Sequence, residues 1–115
     1  DTISGRRYSD IIEIAKDQIR KTYMSDEISL NTIAAEVGMS PSYFSSIFSK
    51  EMGKTFVEYL TEIRMDRAKE LLMCSSMKTS EIGYEVGYKD PHYFSYIFKK
   101  TQNCTPKEFR ARGKE

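Results

Sequence analysis

Tryptophan is absent from this chain of 115 residues, histidine occurs once and cysteine twice. Those scarcities remove whole classes of chemistry. Cys74 and Cys104 show no C-x-x-C spacing and have only His92 to help them, too few ligands for a zinc site. Two free thiols in a reducing cytoplasm is the plain reading. His92 lies near Asp90, but Asp90 fits better as a helix cap, and no nucleophile with an organising partner is visible. No catalytic residue, metal or cofactor is therefore expected, and the chain reads as something other than an enzyme. No apolar run approaches the length of a membrane span, and no secretory signal opens the sequence. The first residue is Asp rather than Met, which suggests a piece of a longer protein.

Net charge is scarce too, at +1, yet its distribution is uneven. Residues 1–40 carry 5 Lys/Arg against 7 Asp/Glu and residues 41–87 carry 6 against 7, whereas residues 88–115 carry 7 against 3. Positive charge gathers at the C-terminal end. What the chain does have is a modest core, with 6 Phe, 8 Tyr and 39% hydrophobic residues, and 30% charged residues at a length that suits one domain.

The three prolines expose the organisation. Each follows a capping residue, as Ser40-Pro41, Asp90-Pro91 and Thr105-Pro106. That pairing opens a helix, because proline at the first helical position loses no hydrogen bond. Around the first two, the chain repeats itself. Residues 33–60, IAAEVGMSPSYFSSIFSKEMGKTFVEYL, lie over the stretch from residue 82, IGYEVGYKDPHYFSYIFKKTQNCTPKEFR, with one extra residue in the second turn. Two copies are too few for a solenoid, so this is a duplicated supersecondary unit.

Each copy reads as helix, turn, helix. Ile33, Ala34 and Val37 share a face of a short helix that Gly38 stops, and Ile82, Gly83, Val86 and Gly87 repeat the pattern. In the second helix Phe44, Ile47, Phe48 and Met52 face inward, as do Phe94, Ile97 and Phe98. Gly53 and Asn103 stand where a left-handed residue ends each helix. Thr55 and Glu58 form a capping box for a connecting helix whose stripe of Phe56, Leu60, Ile63, Ala68, Leu71 and Leu72 runs to about Cys74. Thr105 and Glu108 form another, opening a short last helix. Tyr8, Ile11, Ile12, Ala15, Ile19 and Tyr23 mark an amphipathic first helix, closed by Ser25-Asp26-Glu27. The expected fold class is all-α: seven helices, with two helix-turn-helix subdomains bridged by a long linker helix.

With the aromatics inside, the 3.6 period fixes what faces out. The first unit presents Ser42, Ser45, Ser46 and Ser49, and the second presents His92, Ser95, Tyr96 and Lys99. In an arbitrary protein such faces are simply solvated. In a helix-turn-helix they are the residues that touch base edges in the major groove of double-stranded DNA. A connecting helix of about twenty residues spans about 30 Å, close to the roughly 34 Å of one DNA turn, so both probe helices are expected in successive major grooves. Lys50, Lys99 and Lys100 lie where phosphates would pass. Tyr43 and Tyr93 read equally as core and as phosphate donors, and the helix starts at Thr55 and Thr105 can grip phosphate. Arg64 and Arg67 are assigned no role beyond pairing with Glu62, Asp66 or Glu70.

These stretches, with the connecting YLTEIRMDRAKELL, resemble the DNA-binding domain of the AraC/XylS family of bacterial transcription regulators over about residues 8 to 112. The similarity looks closest to the version at the C-terminus of two-component response regulators. It implies a seven-helix domain and base contacts at Ser42, Ser45 and Ser46, then at Pro91, His92, Ser95 and Tyr96. Sharply specific members often place Arg, Gln or Trp at such sites. Here the first helix offers only serines, which discriminate weakly, and Pro91 cannot read a base by hydrogen bonding. Asn103 stands where the family usually has Gly. The implied partners are promoter DNA, RNA polymerase and an N-terminal receiver or sensing domain, with no membrane. The expected division is residues 1–54, 55–74 and 75–115, together one DNA-binding domain. The competing class is a helix-turn-helix module that docks proteins and has no specific DNA binding.

Overall fold

The structure, a computed structural model, describes residues 2–113, with side chains from Tyr8 onward. Among these residues all regular structure is helical, in seven segments: α1 (Thr2–Thr22), α2 (Leu30–Glu36), α3 (Pro41–Met52), α4 (Phe56–Cys74), α5 (Thr79–Glu85), α6 (Pro91–Gln102) and α7 (Pro106–Gly113). They divide into two units. The first holds the chain up to Tyr23 and Glu27–Thr61; the second holds Met24–Asp26 and the chain from Glu62 on. Helix α4 runs through both memberships, giving residues 56–61 to the first and 62–74 to the second.

In the first unit, α1 buries Ile12, Ala15 and Ile19. The helix begins well before the apolar stripe does. A stripe marks only the turns that pack, whereas each residue added to an existing helix gains a backbone hydrogen bond. Tyr23, expected in the stripe, lies just past the helix end. Helix α2 has a cap absent from the expectations above: Ser29 Oγ accepts from Thr32 N at 3.1 Å while Ser29 N–H donates to Thr32 Oγ1 at 2.9 Å. Threonine takes the place that glutamate usually fills in this reciprocal cap. The turn then reverses through Gly38 at φ +72°, and Met39 N–H donates to Ala34 O at 2.9 Å. Ser40 Oγ accepts from Tyr43 N–H, starting α3. Phe44, Phe48, Phe56 and Tyr59 form a ring cluster with centroids 5.6–6.4 Å apart, the tilted and edge-on contacts aromatic quadrupoles favour. The Tyr59 hydroxyl is buried there with no hydrogen-bond partner among the described residues.

The second unit repeats the plan. Its core gathers Met65, Ala68 and Leu72 of α4 with Ile82, Val86, Tyr88, Phe94, Phe98 and Cys104. Ile97 and Phe109 pack partly buried against it. Tyr88 N–H donates to Gly83 O at 2.9 Å, the same reversal as in the first unit. Lys89 is the extra residue, and its Nζ sits 3.1 Å from Asp26 Oδ2. Asp90 Oδ1 then accepts from His92 N–H at 2.9 Å and starts α6. Asn103 ends α6 at φ +65°, as Gly53 ends α3 at φ +72°.

Arginines tie this unit together in a way the charge pattern does not suggest. Arg64 is buried, its Nη2 donating to Ser25 O at 2.9 Å and its guanidinium carbon 4.8 Å from the Tyr88 ring centroid. Arg67 pairs with Glu70, one of the three acidic partners open to it. Arg110 on α7 donates to Leu72 O at 3.0 Å and to Ser75 O at 3.3 Å, satisfying carbonyls that the end of α4 leaves open.

Candidate nucleic-acid interface

Each unit contains a twelve-residue helix, α3 or α6, that starts with proline and buries its phenylalanines. The opposite faces carry the expected residues. Ser42 and Ser46 are exposed and Ser45 half-buried on α3; His92 and Tyr96 are exposed and Ser95 half-buried on α6. Pro91 is half-buried at the start of α6. Lys50, Lys99 and Lys100 are exposed in the last turns, where cations also suit the negative end of the helix dipole.

The tyrosines split by unit. Tyr43 and Tyr93 are both about half exposed, so neither is core. Tyr43 reaches α1: its hydroxyl donates to the Tyr8 hydroxyl, with the two rings edge-on at 6.0 Å. That hydrogen bond holds the Tyr43 phenol above its ordinary pKa. Tyr93 instead neighbours Tyr88 and Tyr96, at centroid distances of 5.8 and 6.3 Å.

The threonine caps are already occupied from within. Thr55 N–H donates to Glu58 Oε1 at 2.8 Å, and Thr55 Oγ1 accepts from Glu58 N–H at 3.1 Å. Thr105 and Glu108 repeat this at the same distances. The backbone and side-chain hydrogen bonds from each threonine hold Glu58 and Glu108 below the usual carboxylate range. Lys54 beside Glu58, and Arg112 and Lys99 beside Glu108, act in the same direction. A carboxylate therefore already takes one of the N–H groups open to a phosphate at each of these two helix starts.

Sequence reasoning placed Tyr8 only in the apolar stripe of the first helix and did not single out Tyr88 or Lys89. Only the one-residue insertion at the second turn hinted that this turn is built differently. Cys74 is exposed, Cys104 is buried, and both are free thiols. Among the described residues no three His, Cys, Asp or Glu side chains come together to hold a metal, and no helix is long and apolar enough to cross a membrane.

Two polar-faced second helices, each on its own helix-turn-helix, define the class of double helix-turn-helix domains. A helix-turn-helix domain family matches residues 33–112, and the chain belongs to the AraC-type DNA-binding domains of transcription regulators. Its fold is that of the C-terminal domain of AraT, a response regulator from Geobacillus stearothermophilus, with TM-score 0.87 and 35% identity over 89% of this chain and 84% of that one. The C-terminal domain of the two-component response regulator YesN from Fusobacterium nucleatum is similar, with TM-score 0.84 and 35% identity, covering 85% of this chain and 95% of that one. The arabinose operon regulatory protein of Escherichia coli is 34% identical over 94 residues, 77% of this chain and 32% of that protein. The chain spans only 11% to 58% of the length of curated relatives it matches.

Proposed function

We propose that this chain is the sequence-specific, double-stranded DNA-binding part of a bacterial transcription regulator, with α3 and α6 in successive major grooves. The observation that carries the reading is the duplicated second helix: a buried aromatic side, an exposed polar side, and lysines in its last turn. Ser42, Ser45, Ser46, His92, Ser95 and Tyr96 meet base edges. Tyr93, Lys50, Lys99 and Lys100 meet phosphates, and Tyr43 does so by turning its hydroxyl from Tyr8 to a phosphate oxygen. Thr55 and Thr105 contribute less, because each phosphate would have to share a helix start with Glu58 or Glu108. The second unit reads bases more selectively than the first, since serine donates to or accepts from almost any base. The protein works without catalysis, in the cytoplasm, downstream of a receiver or sensing domain, and acts on RNA polymerase. The response-regulator relatives support that arrangement.

Selection from a random duplex library, followed by gel shifts at low and high salt, tests this. A recurring motif is expected, with affinity falling steeply as salt rises. Lys99→Ala lowers the salt slope by about one ion and weakens all sequences alike, whereas His92→Ala relaxes preference at a few base pairs. Failure to enrich any motif would overturn the reading. An unchanged salt slope removes Lys99 from the phosphate contacts.

A further inference from the structure

Three tyrosine rings follow one another across the second unit. Tyr88, in the turn, is buried beneath Arg64. Tyr93 lies 5.8 Å beyond it, and Tyr96 another 6.3 Å on, its plane 34° from that of Tyr93. Lys100, one helical turn after Tyr96, places Nζ 5.8 Å from the Tyr96 centroid. Exposure rises along the row from 9% at Tyr88 to 51% at Tyr93 and 57% at Tyr96. The row is thus anchored in the core at one end and presents a supported ring to solvent at the other. Such a ring loses little conformational freedom on binding, so contact with it is worth more than contact with a swinging side chain.

The chemistry of that ring limits what it can recognise. Apart from the two lysines of its last turn, none of the outward positions of α6 carries Arg, Asn, Gln or Glu, the other side chains that read base edges by directed hydrogen bonds. A ring face or edge offers apolar contact instead. In the major groove the apolar feature that distinguishes one base is the thymine 5-methyl group. Lys100 beside the ring and Lys99 in the same last turn match a phosphate-lined groove in charge.

The first unit lacks the device. The residues standing where Tyr88, Tyr96 and Lys100 stand are Met39, Ser46 and Lys50, so the row is missing both its anchor and its tip. Tyr43, the remaining ring, is engaged with Tyr8.

We infer that Tyr96 is a thymine reader: its ring, held by Tyr93 and Lys100, packs on the 5-methyl group of one or two thymines in the half-site bound by the second unit. The inference rests on the DNA-binding reading above. Its test uses a duplex obtained by selection, with each thymine replaced in turn by deoxyuridine, which removes the methyl group and leaves every hydrogen-bonding group in place. One or two positions should each lose about fourfold in affinity, the worth of one buried methyl. Tyr96→Ala should abolish that discrimination, while Tyr96→Phe, which keeps the ring, should retain it. Because Tyr96 is exposed, both variants should fold, which circular dichroism checks. If duplexes are selected and bound but no thymine is sensitive, or if the sensitivity survives in Tyr96→Ala, the inference is overturned and DNA binding stands. If no duplex is selected, both fall.

Discussion

The two units share a plan residue by residue, yet they solve the same packing problem with different side chains. Where α2 carries Ala34, α5 carries Gly83. A Cβ on Gly83 would lie 3.0 Å from the Phe94 ring, tighter than most packed carbons, so the ring would have to give by a few tenths of an ångström. Phe94 cannot easily yield, being fully buried between Tyr88 and Phe98 at 5.9 and 6.0 Å. Tyr88, where the first unit has Met39, packs on Phe94, and the smaller Gly83 leaves that ring its room. The lesson is that a duplicated fold keeps its backbone plan while volume moves between partners across the contact.

The strongest way to break the comparison is to empty either core. Phe48→Ala and Phe98→Ala each remove a fully buried ring, and each should destabilise by about 3–5 kcal/mol in chemical denaturation. Amide hydrogen exchange should rise first in the unit that carries the change. Equal loss of protection in both units would mean that they do not fold as separable bodies.

Exchanging the twin residues sharpens it. Ala34→Gly should cost about 1–2 kcal/mol, from lost helix propensity and lost burial of the methyl group. Gly83→Ala gains propensity but forces the contact with Phe94, for a net loss of about 1 kcal/mol. One position would then prefer opposite residues in the two units. A stabilising Gly83→Ala would show that Phe94 can move aside.

The smallest difference should lie at the caps, where the units are alike. Glu58 and Glu108 both have pKa values depressed by their threonine partners. A carboxylate held below its unfolded value adds stability that is present above the unfolded pKa and lost as pH falls through the folded one. The window therefore lies below about pH 4.3. Glu58→Gln and Glu108→Gln should each flatten the acid limb of a stability–pH curve by a similar, small amount. An unequal response would mark one cap as differently solvated.

Most of the architecture was legible beforehand because its signals are local. Proline after Ser40, Asp90 or Thr105 acts through one φ angle and one missing N–H. Gly53 and Asn103 act through a left-handed conformation that few residues accept. The outward serines, His92 and Tyr96 were placed correctly by period alone, since a helix with buried Phe44 and Phe48, or Phe94 and Phe98, has only one other side. The second-unit details were not legible. Arg64 sits in a run of charges, EIRMDRAKE, that reads as solvated surface, and nothing in its neighbours distinguishes it from Arg67.

By itself, then, the sequence determined where α3, α4, α6 and α7 begin, where α3 and α6 end, that the unit occurs twice, and which side chains of α3 and α6 face outward, because capping, backbone conformation and helical period act within a few residues. Only the tertiary structure decided that Arg64 is buried over Tyr88, that Tyr43 meets Tyr8, that Lys89 meets Asp26, and that three tyrosines line up toward Tyr96. Except along that tyrosine row, those pairs join residues 24 to 63 positions apart. Contacts of that kind depend on how packed helices bring distant residues together, and no local pattern carries that information.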